Sequence, residues 1–372
     1  MQRRQFLVAS AAATATAPTW QRSLLAAAVN QRFADAIQIL RSATRDRQVS
    51  AAVLHVSRPG DVVNKAFGQA NNVDAMFLLG SISKPINIAA VMTLYDQKLL
   101  RLDDRVQRFL PDFRGGGHER VTIHQLLTHV SGLPDQLQYN ASLRRQNAPL
   151  SEFIRLAAQT PLSFAPGSKY QYSSMGILLA AHIAERISGM KIADLVQRRV
   201  FDRLQMFRSV QGMGRFPLSE FVTVQMEGAA PESGGGNPAS TAWNWNSEYW
   251  RQLGAPWGGT HASAPDLGRF LQEFMNRRGE VVLPATAALM TRNHNPPGFE
   301  SRGLGFVVGP EKLSPACSPS VFGHTGSTGT ICWADPETKT VCVILTSLPS
   351  RATQPHPRQV AADSVADTVR RS

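Results

Sequence analysis

A serine and a lysine stand three residues apart in Ser81-Ile82-Ser83-Lys84, directly after the apolar run Met76-Phe77-Leu78-Leu79-Gly80. The residues that follow, Ile86, Ile88, Ala89, Ala90, Met92 and Leu94, carry a helix-like apolar pattern. Positions i and i+3 share one helix face, so a helix opening at Ser81 aims its hydroxyl and the Lys84 amine into one cleft. A serine hydroxyl is a weak nucleophile until a neighbour takes its proton. A lysine can do so when burial or a nearby cation lowers its pKa enough to leave part of it neutral. The N–H groups at the helix start add a preference for negative charge there. Alone, this spacing is a weak signal, because an N-cap serine with a solvated lysine has the same pattern.

Two later segments change its weight. Tyr172-Ser173-Ser174 follows the turn-forming stretch Phe164-Ala165-Pro166-Gly167-Ser168, and His324-Thr325-Gly326 lies within Phe322-Gly323-His324-Thr325-Gly326-Ser327-Thr328-Gly329-Thr330. In order and spacing these segments resemble the serine β-lactamase and penicillin-binding protein family. The likeness is to its class C-like branch: class C β-lactamases, DD-carboxypeptidases and family VIII esterases. That family reads S-x-x-K, then Y-x-N, then K-T-G or H-T-G. Leu126-Leu127-Thr128-His129-Val130-Ser131-Gly132-Leu133-Pro134 is similar to its "LLTHTSGLP", and Phe201-Asp202-Arg203-Leu204-Gln205-Met206 to its "FDPLGM". The stretch from Pro166-Gly167 to Gly176, the segment 284–290 and Gly303-Leu304-Gly305-Phe306 also fit, so the resemblance spans roughly residues 30–350.

The resemblance implies Ser81 as nucleophile, Lys84 as proton acceptor or as the cation that lowers another group's pKa, and Tyr172 as proton shuttle. A phenol of pKa about 10 needs nearby positive charge to act as a base, which Lys84 and His324 could share. Ser174 stands where the family has asparagine, and a hydroxyl is shorter and offers fewer donors than an amide. This departure puts efficient β-lactam or peptide cleavage in doubt and favours ester chemistry. His324 replaces the lysine of K-T-G; protonated it would bind a substrate carboxylate, neutral it would hydrogen-bond Tyr172. With Thr325 and Gly326 it leads to Ser327, whose N–H would join that of Ser81 in an oxyanion hole. Trp257-Gly258-Gly259 resembles a W-G-G of family esterases, or is an ordinary turn. Trp243, Trp245 and Trp250 read either as anchors of the loop 232–257 or as the lining of an acyl or glycan subsite.

The ends of the chain suggest export. Met1-Gln2-Arg3-Arg4-Gln5-Phe6-Leu7, followed by an Ala/Thr-rich apolar run, reads as a Tat-type signal over 1–28, with cleavage after Ala26-Ala27-Ala28 or Ala15-Thr16-Ala17. No cysteine lies near either site to carry a lipid anchor, and no run is long enough for a membrane span. A periplasmic or cell-envelope enzyme is expected. The formal charge of +12 would fall to +9 with loss of Arg3, Arg4 and Arg22. No basic run or stacking-aromatic repeat accompanies that charge, so nucleic acid is not the expected partner. His118, His124 and His129 lack the H-E-x-x-H pattern, and Cys317, Cys332 and Cys342 make no metal motif; neither metal nor cofactor is expected. The chain has no G-x-S-x-G elbow, P-loop or dinucleotide fingerprint.

The elements that must position these residues follow from periodicity. A helix is predicted over 31–48, then strands over 51–57 and 62–68 around the turn Arg58-Pro59-Gly60-Asp61. Helices are predicted over 123–128, 150–158, 175–188, 192–200 and 263–276. Strand-like sequence returns over 303–308, 321–333 and 340–347. A turn at Asp335-Pro336-Glu337-Thr338 that pairs Ala334 with Thr340 would set Cys332 opposite Cys342. Strands at both ends and helices between predict an α+β fold, an antiparallel sheet flanked by helices with an inserted, mostly helical domain, as in the β-lactamase/transpeptidase family. The expected division is 29–100 with 255–350 for the sheet part, 101–254 for the helical insert, and 351–372 as a C-terminal tail or helix. The expected protein is a monomeric serine hydrolase, an esterase or amidase on a small substrate. The alternatives are a DD-carboxypeptidase or β-lactamase, and a non-catalytic scaffold that kept the fold.

Overall fold

The computed structural model describes residues 31–371, so the expected export signal lies outside the described residues. In chain order the helices are α1 (Ala34–Arg45), α2 (Ser83–Asp96), α3 (Ile123–Leu127), α4 (Asn140–Arg145), α5 (Leu150–Gln159), α6 (Ser174–Ser188), α7 (Ile192–Val196), α8 (Glu248–Leu253), α9 (Ala264–Asn276), α10 (Pro284–Met290) and α11 (Pro357–Arg371). The strands are β1 (Ala51–Arg58), β2 (Asp61–Gly68), β3 (Phe77–Leu78), β4 (Ser209–Gln211), β5 (Thr260–Ala262), β6 (Val307–Val308), β7 (Phe322–Gly326), β8 (Thr330–Asp335) and β9 (Thr340–Thr346).

Six strands form one antiparallel sheet in the order β2-β1-β9-β8-β7-β6. Side chains alternate between its faces, and each face has its own core. Val53, Cys332, Ala334, Val343 and Leu345 pack towards α2 and the apolar stripe Leu267, Phe270, Leu271 and Phe274 of α9. Leu54, Val56, Ile331, Trp333, Cys342 and Ile344 pack under Leu40 of α1 and Ala362, Val365 and Ala366 of α11. A second, three-stranded sheet in the order β3-β5-β4 was not expected; its strands have two or three residues, too few to show alternation. The observed architecture is the α+β arrangement that strands at both ends had implied.

Two strand expectations change. The stretch read as strand-like over 321–333 is a hairpin, broken where Gly329 takes φ +103°, a value closed to most side chains. Of 303–308 only Val307 and Val308 pair as a strand, with Gly323 and Phe322. The register of β8 with β9 is also one residue from the expected one: Asp335, not Ala334, opposes Thr340, so Cys332 faces Val343 and Cys342 faces Trp333. A one-residue slip moves a side chain to the other face. Cys332 and Cys342 therefore sit in different cores, and the cross-strand disulfide is excluded; all three cysteines are free and buried. No described helix is long and apolar enough to cross a membrane.

Candidate active site

Ser81 lies in a one-turn 3-10 segment, Gly80–Ile82, that feeds α2. Helix α2 is buried from Ser83 to Leu94, and packing on every side fixes its first turn. The β7–β8 hairpin is stitched to the chain ahead of Ser81: Thr328 Oγ1 donates to Leu78 O at 2.6 Å and Thr330 Oγ1 to Leu79 O at 2.7 Å. Gly326 is required there, because a Cβ would fall 2.1 Å from Leu79 O. A Cβ on Gly80 would lie 3.1 Å from Ser327 N, so the backbones of the nucleophile turn and the hairpin run side by side. The Ser327 carbonyl accepts from Ser350 N at 3.0 Å, while its own N–H has no partner among the described residues.

Lys84 Nζ is 2.9 Å from Ser81 Oγ and donates to Trp257 O at 3.0 Å. The amine is fully buried, and desolvation carries its pKa down to about 7; Asp135 resists the fall and the Arg302 cation adds to it. Part of Lys84 is therefore neutral near neutral pH. The W-G-G segment contributes through this carbonyl and through Gly258, which lines the cavity beside Ser81.

Tyr172 lies beside Ser81, both lining one cavity, and Ser81 acts on its phenol. The Lys84 amine lies 4.7 Å from its ring centroid and the Arg302 guanidinium 5.1 Å. Burial nevertheless pushes the phenol above its ordinary range, against the pull of Ser81 and Arg302. Tyr172 thus stays protonated at neutral pH. The residues after it are fixed by α6. Ser173 caps that helix, its Oγ accepting from Gly176 N and donating to Pro134 O, both at 2.9 Å. Ser173 N donates to His129 Nδ1 at 3.1 Å, and the buried, neutral His129 ring packs on Tyr172 at 4.6 Å.

Ser174 Oγ donates to Asp135 Oδ1 at 2.6 Å, and Ser174 N donates to the same oxygen at 3.0 Å. His324 is buried, and desolvation with the nearby Arg302 and Lys84 charges holds it well below its ordinary pKa. Its Nδ1 bonds the Thr325 carbonyl at 2.7 Å, its ring lies 6.3 Å from that of Tyr172, and Nε2 has no partner among the described residues. A neutral histidine behind Tyr172 does not supply the positive charge of the family's lysine. The Arg302 guanidinium lies beside Tyr172 as well: its Nε donates to Tyr170 Oη at 3.0 Å, and Glu300 pairs with its other end.

These groups border a cavity of about 210 Å³ lined by Ser81, Tyr172, Ser174, Trp257 and Ser327, among others. His324, Thr325 and Gly326 do not line it. A larger hollow of about 760 Å³ near Gln225 and Asn246 contains no pair of nucleophile and base. Of the tryptophans weighed as subsite residues, Trp245 and Trp250 reach the cavity and Trp243 does not. Among the described residues no group of three or more His, Cys, Asp or Glu could hold a metal ion. Sequence reasoning missed Asp135, His129 and Arg302. The first two sit in or next to the Leu126–Pro134 segment, and Arg302 precedes Gly303-Leu304-Gly305, so proximity to a motif was the available signal.

A buried lysine on a serine, a protonated tyrosine beside them, and an unpaired N–H in the β7–β8 turn suit a serine nucleophile activated without a catalytic histidine. The family model described as Beta-lactamase matches residues 29–367, and the chain belongs to that family. "Esterase EstB" of Burkholderia gladioli is 35% identical over 191 residues, 45% of this chain and 48% of that relative, so the match spans about half the relative's length. A "Putative D-alanyl-D-alanine carboxypeptidase" of Salmonella agona (strain SL483) is 27% identical over 334 residues, 77% of this chain and 76% of its own length. The solved structure of "EstCE1, a hydrolase with promiscuous acyltransferase activity" superposes with a TM-score of 0.74 at 22% identity, over 91% of this chain and 100% of that one, and shares the fold. The protein is a serine hydrolase of the β-lactamase family.

Proposed function

We propose that this enzyme cleaves a small ester through an acyl-enzyme on Ser81. The carrying observation is Lys84: an amine 2.9 Å from the Ser81 hydroxyl, brought to about 7 by burial and fixed by the Trp257 carbonyl. Ser81 Oγ attacks the scissile carbonyl carbon while its proton passes to neutral Lys84. The oxyanion is held by the N–H groups of Ser81 and Ser327. Tyr172, still a phenol, gives its proton to the departing alkoxide and recovers one from Lys84. The acyl group now sits on Ser81. In deacylation the water oxygen adds to the acyl carbon as its proton passes to Tyr172 Oη and the Tyr172 proton passes to neutral Lys84; Lys84 then returns that proton to the departing Ser81 Oγ. His129, Arg302 and His324 fix the position and charge of Tyr172 from behind. Export through the Arg3-Arg4 segment to the periplasm or envelope belongs to the same reading and rests on the sequence of residues 1–28.

Cleavage of D-alanyl peptides or β-lactams is the second reading, supported by the Salmonella relative that matches most of the chain. Ser174 argues for the ester, since its hydroxyl is turned to Asp135 instead of offering an amide to the substrate. The decisive experiment mixes purified protein with short-chain p-nitrophenyl esters and examines Ser81 by mass spectrometry. An acyl adduct on Ser81 and a loss of at least ~10³-fold in kcat/KM in Ser81→Ala, with Tm nearly unchanged, are expected. Retention of more than about a tenth of the activity would remove Ser81 from the mechanism.

A further inference from the structure

The cavity that holds Ser81 has a second wall whose hydrogen-bonding capacity is unused. Arg144, on α4, lines it and is 3% exposed. Its guanidinium stacks on the Trp250 ring with Cζ 3.7 Å from the centroid. Stacking covers one face of the guanidinium and leaves its edge, which carries every N–H, free to donate. Arg144 Nε and Nη1 are buried with no partner among the described residues, and so is Nε1 of Trp250, which lines the same cavity. Both side chains are donors only. Two buried donor-only groups left unpaired at one wall are costly unless an acceptor arrives. Burial draws the Arg144 pKa only to about 10, so the charge remains at neutral pH.

The acids nearby do not satisfy it. Asp135 lines the cavity and accepts both Ser174 bonds on Oδ1, but forms no ion pair with Arg144 among the described residues. Glu232, exposed at the rim, attracts Arg144 electrostatically without forming an ion pair. Gln136, also at the cavity, has an unpartnered Oε1, and its amide can present either end to a ligand.

We propose that the Arg144–Trp250 wall binds a carboxylate, so that the preferred substrate is an ester bearing a carboxylate remote from the scissile bond. This rests on the Ser81 reading above. The carboxylate accepts from the Arg144 guanidinium and from the indole N–H, and the charge is neutralised where water is excluded. This is a different place from the His324-Thr325-Gly326 segment, none of which reaches the cavity.

The test compares isosteric esters. On the acyl side, p-nitrophenyl hydrogen glutarate is set against p-nitrophenyl pentanoate; on the leaving-group side, 4-carboxyphenyl butyrate against phenyl butyrate. A kcat/KM ratio of order ~100 in favour of the carboxylate in one pair is expected, since a site built to hydrogen-bond a group strongly rejects the analogue without it. The pair that shows it identifies the side. Arg144→Gln should bring that ratio to about 1, Arg144→Lys should leave it between, and Glu232→Gln should raise it. Ratios near 1 in both pairs with the unmodified enzyme would overturn the proposal. Calorimetry on Ser81→Ala protein separates this from failure of the catalytic reading. Monomethyl glutarate should bind at least ~10-fold more tightly than methyl pentanoate whether or not Ser81 is the nucleophile, and equal affinities would overturn the carboxylate site.

Discussion

Lys84 places the chemistry and the cost of the site in one side chain. In the mechanism proposed above its neutral form accepts the Ser81 proton, so kcat/KM for a p-nitrophenyl ester should rise with pH through about 7 and level off above it. Lys84→Arg, which stays charged, should lose both the limb and the activity; a flat profile from about pH 6 to about pH 9 would show that another group takes the proton. The linkage has a definite sign. The folded-state pKa is depressed from 10.5, so below that value the unfolded chain binds a proton the folded chain holds less readily, and folding is opposed at neutral pH. Lys84→Met should therefore abolish hydrolysis while raising Tm. A fall in Tm would mean that the bonds to Ser81 and Trp257 outweigh the burial cost. Ser174 is the other informative side chain. Its hydroxyl serves Asp135, leaving no amide to align a scissile peptide or lactam. Ser174→Asn should raise hydrolysis of a chromogenic cephalosporin relative to p-nitrophenyl butyrate by ~10-fold. An unmodified enzyme that already prefers the cephalosporin would refute this account of Ser174.

At the scale of elements, the β7–β8 turn depends on the last helix. Arg358 of α11, buried, donates from Nη1 to the Gly326 carbonyl and, at 2.7 Å, to the Thr330 carbonyl, so it clamps both ends of the β7–β8 turn that presents Ser327. Removing it takes a charged donor from both carbonyls and leaves Gly326 O with the Gly329 N–H alone, at roughly 1–3 kcal/mol in all. Arg358→Met should lower Tm, and should lower kcat by ~10-fold with a smaller change in KM, because the Ser327 N–H matters most as the oxyanion forms. A Tm loss with kcat intact would leave Arg358 a purely structural residue. Nothing in the sequence announced this clamp. Residues 351–372 were read as a C-terminal tail or helix, and the carbonyls Arg358 holds lie far from it in the chain. What was legible had short-range spacing: Ser81 with Lys84, Tyr172 at a helix start, and the apolar runs of β1 and β9. What was not legible came through tertiary contact or through turn length. Asp135, Arg302 and Arg144 reach the site from three separate loops and helices. The β8–β9 register turned on whether Asp335 pairs, and a one-residue error there carried Cys342 to the wrong core.

Across the whole molecule, the site sits where the sheet, the α2–α6 packing and the Trp245–Trp257 segment meet, and burial there is uniformly hostile to charge on histidine. Of nine histidines, His55, His124, His129, His261, His294, His324 and His356 are all depressed below their ordinary pKa, with desolvation the leading cause in each; His124 and His356 fall to about 4. The unfolded chain protonates these rings near 6.5 and the folded chain does not. Stability is therefore present in full above about 6.5 and falls as pH drops from there towards the folded-state values. Each fully buried ring, such as His129, His261 or His324, can contribute up to ~1.4 kcal/mol per pH unit in that window. Asp266, whose carboxyl burial pushes up, runs the other way but is a single group. The protein should lose Tm steeply between about pH 6.5 and about pH 4.5, before most carboxylates titrate, and ester hydrolysis should fail by unfolding at the acid end. Thermal melts across that range in one buffer series check it. A Tm that holds level from about pH 7 to about pH 5 would mean that the buried histidines accept protons in the folded state, and that the neutral His129 and His324 described behind Tyr172 are charged instead.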